Sequence, residues 1–185
     1  MKKEIGPMNL FYPLPVVLVT THDSKGNDNI ITIAWTTNVS SEKPYACISI
    51  GGNKLSLRNI KETKDFVINI PGQELLKKID FCGENHGDEI DKFKECNLTG
   101  LKANITGSKL IAECPVNIEC IAKEIYVIES GNLIIGEIVK THADEEIIAD
   151  DGSIDLLKLK PVVYSQKTYY SIKEAVAKRG FSKRI

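Results

Sequence analysis

The sequence predicts a mainly β protein, an antiparallel barrel with short helical insertions, and three observations carry that expectation. Runs of strand length, rich in Val, Ile and Thr, recur along the chain and are bounded by Gly, Pro, Asn and Asp. Residues 116–127 and 133–141 are two such runs around Gly131-Asn132, the pattern of a hairpin. Helix-strand alternation fails after residue 115 and no Gly-x-Gly-x-x-Gly follows the first strand, which makes a doubly wound parallel sheet the poorer fit.

Leu14 to Thr21 is the first apolar run, and the turn formers His22 to Asp28 lead into a return strand from Asn29 to Thr36. Both strands are apolar at consecutive positions, so both faces are expected to be covered. A polar loop closed by Lys43-Pro44 precedes a third strand, Tyr45 to Gly51. Ser56 to Lys64 has Leu57 and Ile60 at helical spacing, with Asn53 or Ser56 available as N-cap. Asp65 to Ile70 returns to strand and Pro71-Gly72 ends it.

Gln73 to Phe81 is a short helix on the spacing of Leu75, Leu76 and Ile79, and Cys82 to Phe93 a polar surface loop entering a helical turn. Acidic residues from Asp144 to Asp155 make a solvated crossing with a turn at Asp151-Gly152. A last strand at Pro161 to Ser165, the pair Tyr169-Tyr170 and a basic tail (Lys178, Arg179, Lys183, Arg184) complete the chain.

At 185 residues the chain suits a single domain, 1–185, able to bury roughly 70% of its unfolded surface without disulfides. Lys plus Arg, 24, nearly balances Asp plus Glu, 25, so there is no electrostatic footprint for nucleic acid. No apolar run nears the ~20 residues of a membrane helix, and Pro7, Pro13 and Pro15 interrupt any signal-like segment; a soluble, cytoplasmic protein is expected. Five scattered cysteines with no Cys-x-x-Cys predict reduced thiols and neither zinc nor a disulfide scaffold.

The stretch from Asn29 to Ile60 draws the chemistry together. A helix N-terminus offers unpaired amides and partial positive charge, so Gly51 to Ser56, with Lys54 and Arg58, suits a phosphate; an ordinary capped helix with exposed basic residues explains the same residues and is the first reading. Trp35, set among Ala34, Thr36 and Thr37, suits an aromatic ligand, although the burial habits of aromatics favour an interior or subunit-interface position. Cys82 and His86 stand four apart, but Gly83 and Gly87 disfavour a regular helix and no third orienting group accompanies them. His22-Asp23 and His142-Ala143-Asp144 read as turn residues.

An ordered series of short motifs then makes a resemblance. It comprises Pro15 to Thr21, Asp23-x-x-Gly26-x-x-Asn29, Ala34-Trp35-Thr36-x-x-Val39-Ser40, Pro44, Ile48-x-Ile50 and Ser56-x-x-Asn59-Ile60. It continues through Phe66 to Pro71, Asp91-Lys92-Phe93, Glu119-Cys120, Gly136-Glu137-Ile138, Leu159-x-Pro161 to Tyr164, and Tyr169-Tyr170. From about Pro13 to Phe181 the chain resembles the flavin reductase-like family with an FMN-binding split barrel, close to its flavoredoxin branch.

The resemblance implies a homodimeric split β-barrel binding FMN near the subunit interface. Ala34, Trp35, Thr36 and Thr37 would line the isoalloxazine; Ser49, Ile50 and the turn of Asn53, Lys54, Leu55, Ser56 and Arg58 would take the ribityl phosphate. Asn29 joins the cofactor-binding set, and Lys92 would add positive charge. The chain departs from the family in Lys43-Pro44, where Pro-Pro is usual, and in Ser56, where Thr is common. The implied activity is an oxidoreductase taking hydride from NAD(P)H and passing electrons to a flavin, metal or protein acceptor, with no acid-base dyad because the chemistry is the flavin's. The alternatives are an FMN electron carrier without NAD(P)H turnover, and a heme, pyridoxal phosphate or purely structural protein on a similar barrel.

Overall fold

The first apolar run divides at Val16, after a proline that has no N–H to give a ladder, into two strands that enter different sheets. The computed structural model describes residues 1–183; Arg184 of the expected basic tail lies outside the described residues. In chain order the early strands are β1 (Leu14–Pro15), β2 (Val17–His22), β3 (Asp28–Ile33), β4 (Thr36–Ser40), β5 (Tyr45–Gly51) and β6 (Asp65–Ile70). The later ones are β7 (Gly100–Leu101), β8 (Leu110–Ile111), β9 (Val116–Ile128), β10 (Gly131–Ala143), β11 (Val162–Ser165) and β12 (Thr168–Ser171). The helices are α1 (Leu55–Thr63), α2 (Leu76–Glu84), α3 (Lys92–Glu95) and α4 (Leu156–Leu159).

One antiparallel sheet runs β3-β2-β6-β9-β10-β5-β4, a second β1-β11-β12, and β7 pairs with β8. The two edges of the large sheet, β3 and β4, are not hydrogen-bonded to each other, so the barrel is split. Residues alternate between its faces. Val17, Val19, Ile31, Ile33, Ile48 and Phe66 point into one core, which Leu57 and Ile60 of α1 close. Val16, Leu18 and Ile30 point the other way, against Leu75, Ile79 and Cys82 of α2 and its lead-in turn. The consecutive apolar residues of β2 and β3 thus have cover on both sides, as their lack of alternation predicts.

Several boundaries differ from the sequence expectations. The return strand ends at Ile33, and Thr36–Ser40, expected as the end of that strand and a loop, forms β4 against β5. Its polar residues fit an edge strand exposed to water. The β9-β10 hairpin turns at Glu129 and Ser130 instead of Gly131-Asn132, with Glu129 left-handed at φ 50°. A single 3-10 turn leads into α2, which runs to Glu84 and absorbs three residues expected in the loop. The acidic crossing carries one 3-10 turn, Glu145–Ile147, and its last residue, Asp155, caps α4.

Gly136 of β10 faces the first core. A Cβ there would lie 2.6 Å from Cζ of the fully buried Phe66 and 3.2 Å from Cβ of Cys120, and neither can retreat. Gly136→Ala should therefore cost about 1–3 kcal/mol of stability. A urea midpoint equal to the wild type's would show that the core has slack at this point.

Two carboxylates pin the connection between β7 and β8. Glu119 and Asp65 lie on one face of the β6-β9 pair, Glu119 opposite Val67 and Asp65 opposite Ile121. Glu119 accepts the amides of Asn104, Ile105 and Thr106, and Asp65 those of Gly107 and Ser108, so five successive N–H groups end on two side chains. His142 Nε2 stands 2.7 Å from Glu119 and the Ser108 hydroxyl donates to Asp65 over 2.6 Å. Burial pushes the Glu119 carboxyl up, but the His142 bond and the three amides outweigh it and hold its pKa down at about 2.

Candidate functional site

The end of β3 and the end of β5 meet where the Ser49 amide donates to the Trp35 carbonyl over 2.9 Å. This bond sets Ala34 and Trp35 beside Ser49, Ile50 and Gly51, and α1 starts four residues beyond. Together with Lys54 and Gly83 they line a recess of about 180 Å³. Trp35, Ser49 and Gly51 also line a wider groove of about 1190 Å³, which adds Thr36 and Thr37. A Cβ built on Gly51 would meet no protein atom within 4 Å, so the glycine leaves its wall open to a ligand.

The helix end departs from the expected cap. Lys54, not Asn53 or Ser56, is the N-cap, and no side chain satisfies the first turn. The Leu55 and Ser56 amides precede the first closed turn, so they have no intrahelical acceptor and the end stays electropositive. The Lys54 side chain lines the recess at this point. Gly52 supplies the bend ahead of it at φ +63°.

Other expected residues serve the frame. Asn29 and Ser56 are buried, and Asn29 Nδ2 donates to Ser56 Oγ over 2.8 Å, tying β3 to the first turn of α1. The Ser56 hydroxyl therefore faces the interior. Arg58 donates to the Asn53 carbonyl over 2.8 Å and pairs with Asp88. Asn53 is exposed, and Leu55 faces a separate polar cleft beside Asn59 and Asp91.

Lys92 is almost fully buried, and its Nζ donates to the Cys82 carbonyl over 2.8 Å near the C-terminal end of α2. Burial, followed by the neighbouring Lys54 charge, pushes its ammonium below the ordinary lysine value. It braces the helix that carries Gly83 to the recess wall.

Trp35 is not an interior residue, since 56% of it is exposed in the groove, an exposure that agrees with the subunit-interface alternative. Cys82 is buried with its thiol pushed up to about 12, first by burial, and His86 lies exposed on the loop, so the two form no catalytic pair. All five cysteines are free thiols. Among the described residues, no helix is long and apolar enough to cross a membrane.

Three parts of the groove escaped the sequence reading. Gly83 lay in a segment expected as loop, Phe11 lies ahead of the first strand, and Ile128 to Gly131 form a hairpin tip. Only the apolar character of Phe11 and Ile128, left at 96% and 60% exposure, could have marked them.

Comparison with known proteins identifies the family of the fold. The family described as Flavin reductase like domain matches residues 8–173. The fold superposes on flavoredoxin of Desulfovibrio vulgaris (Miyazaki F) with a TM-score of 0.92 and 31% identity, covering 100% of both chains. Flavoredoxin from Methanosarcina acetivorans shares the fold at a TM-score of 0.89 and 22% identity, over 100% of this chain and 98% of that one. Uncharacterized protein YdfE of Bacillus subtilis (strain 168) is 26% identical over 195 residues, which covers 95% of this chain and 92% of the relative. The chain belongs to the flavin reductase like domain family.

Proposed function

We propose that the chain is an FMN-dependent oxidoreductase that takes hydride from NAD(P)H and passes electrons to a flavin, metal or protein acceptor, acting as a homodimer in the cytoplasm. The observation that carries the reading is a recess and a wider groove that share Trp35, Ser49 and Gly51 in their walls and are otherwise lined differently. The recess meets an uncapped helix N-terminus at Lys54; the groove is broad and lined by Trp35, Thr36 and Thr37. A phosphate fits the first and a planar ring system the second. FMN has one phosphate and one such ring.

In this reading Lys54 and the free amides of Leu55 and Ser56 hold the phosphate. The backbone of Ala34 to Thr37 and Ser49 to Gly51 meets the ring edge, where amides and carbonyls select its orientation. The bound flavin supplies the hydride and electron chemistry. Asn29 and Ser56 fix the helix end to the barrel, and Lys92 holds α2 against the pocket. This reading requires no general acid or base from the protein.

The test is direct. Purified protein should be yellow or take up added FMN one per chain, with a flavin spectrum that bleaches on adding NAD(P)H under nitrogen. Colourless protein that fails to take up FMN would sink the proposal. FMN that is bound but bleaches only with dithionite would make the chain an electron carrier without pyridine nucleotide turnover.

A further inference from the structure

The segment that joins β5 to α1 aims the cationic end of the recess, and it begins with two glycines. Gly51 ends β5, Gly52 bends at φ +63°, and Lys54 caps α1 two residues later. Adjacent glycines have more backbone freedom than any other pair, so their own chemistry does not fix where Lys54 and the first amides of α1 point. The β5-β10 ladder also runs out here, its last pair being Gly51 with Gly131.

One side chain takes over where the ladder stops. Asn132 of β10 stands opposite Ile50 and is only 8% exposed. Its Nδ2 donates to the Ile50 carbonyl over 3.2 Å and to the Gly52 carbonyl over 3.3 Å. A side-chain amide nitrogen carries two hydrogens, and here they serve the carbonyls on either side of Gly51. The Gly52 amide donates to the Ser130 carbonyl over 2.9 Å, a third tie between the glycine pair and the β9-β10 hairpin.

Asn132 lines neither the recess nor the wider groove. We propose that Asn132 is a positioning residue for the phosphate: its amide sets the Gly51-Gly52 turn and, through that turn, Lys54 and the amides of Leu55 and Ser56. The proposal rests on the flavin reading of the site. A turn that is already set leaves less ordering to be done when the ligand arrives, and that ordering otherwise subtracts from affinity. Asn132 is buried within its own chain, so its role is independent of what covers the outer groove.

Two variants test this. Asn132→Asp keeps the shape but replaces two donors by an oxygen that faces two carbonyls, and Asn132→Ala removes the ties without adding charge. In flavin-free protein the amides of Gly52, Leu57 and Arg58 are bonded to the Ser130 and Lys54 carbonyls. They should exchange hydrogen at least about tenfold faster in Asn132→Ala, while β2 and β6 keep their wild-type rates. FMN should bind both variants about tenfold more weakly, and riboflavin, which lacks the phosphate, within about threefold of wild type. In a Lys54→Ala background, Asn132→Ala should weaken FMN by less than about threefold, because the main group it positions is gone. Unchanged exchange at the three amides, unchanged FMN affinity, equal weakening of FMN and riboflavin, or a full tenfold loss on top of Lys54→Ala would each overturn the proposal. If Asn132→Asp fails to fold, Asn132→Ala carries every arm. Failure of the wild type to take up FMN overturns the flavin reading separately, and the exchange rates, measured without cofactor, still decide whether Asn132 sets the turn.

Discussion

Replacing Lys54 with glutamate should weaken FMN binding about 100-fold while leaving the fold intact. Among the described residues the lysine is the only cation lining the recess, and it stands at a helix N-terminus with no side-chain cap. A charge-assisted bond to a phosphate is worth about 1.5–3 kcal/mol, and reversal adds repulsion, so about 2.7 kcal/mol, or 100-fold, is the expected scale. Riboflavin, which lacks the phosphate, should bind both proteins alike. Arg58→Ala should weaken FMN less than about threefold, since the Arg58 guanidinium is already committed to Asn53 and Asp88. Fluorescence titration of the flavin separates these outcomes, and unchanged FMN affinity in Lys54→Glu would place the phosphate elsewhere.

Glu119→Gln should lower stability by about 3 kcal/mol, a melting shift of roughly 6–12 °C for a domain of this size. The amide keeps the shape of the carboxylate but turns an N–H₂ toward backbone N–H groups, which can only donate, and leaves one oxygen to accept where two did. The acid limb of the stability curve carries the same signature. Glu119 titrates at about 2 in the fold against 4.5 ordinarily, so its contribution is fully present above about 4.5 and is lost as pH falls through about 2. Chemical denaturation of both proteins from pH 7 to pH 2 should show the gap narrowing toward the acid end. A constant gap would mean that the carboxylate's charge is not what holds the loop.

Much of the fold is legible in the chain because the signals are local. The apolar runs of β2 and β3 and the hairpin of β9 and β10 announce themselves by composition and period. The Thr36–Ser40 strand does not, since an edge strand with polar side chains differs from a loop only in its partner. The Glu119 clasp is hidden for another reason: its acceptor and donors are brought together by the β6-β9 register, which no local window contains.

The site divides in the same way. Ala34, Trp35, Ser49, Ile50 and Lys54 line the recess, and Trp35, Thr36, Thr37 and Ser49 line the wider groove beside it. Asn29, Ser56 and Lys92 are buried instead, Asn29 bonded to Ser56 and Lys92 to the Cys82 carbonyl, because residue type does not say which side chains turn inward.

The division of the chain at Val16 also bears on the order of events during synthesis. All seven strands of the large sheet have been made once residue 143 is translated, so β2 can find its partners early. β1 must wait for β11, because Leu14 pairs with Tyr164 and Pro15 with Val163. Until Val162 emerges, Val16 and Leu18 lack one of the side chains that cover them. A nascent chain arrested near residue 160 therefore presents an apolar strip beside its N-terminal arm, a surface for a holding chaperone that disappears when the last hairpin closes.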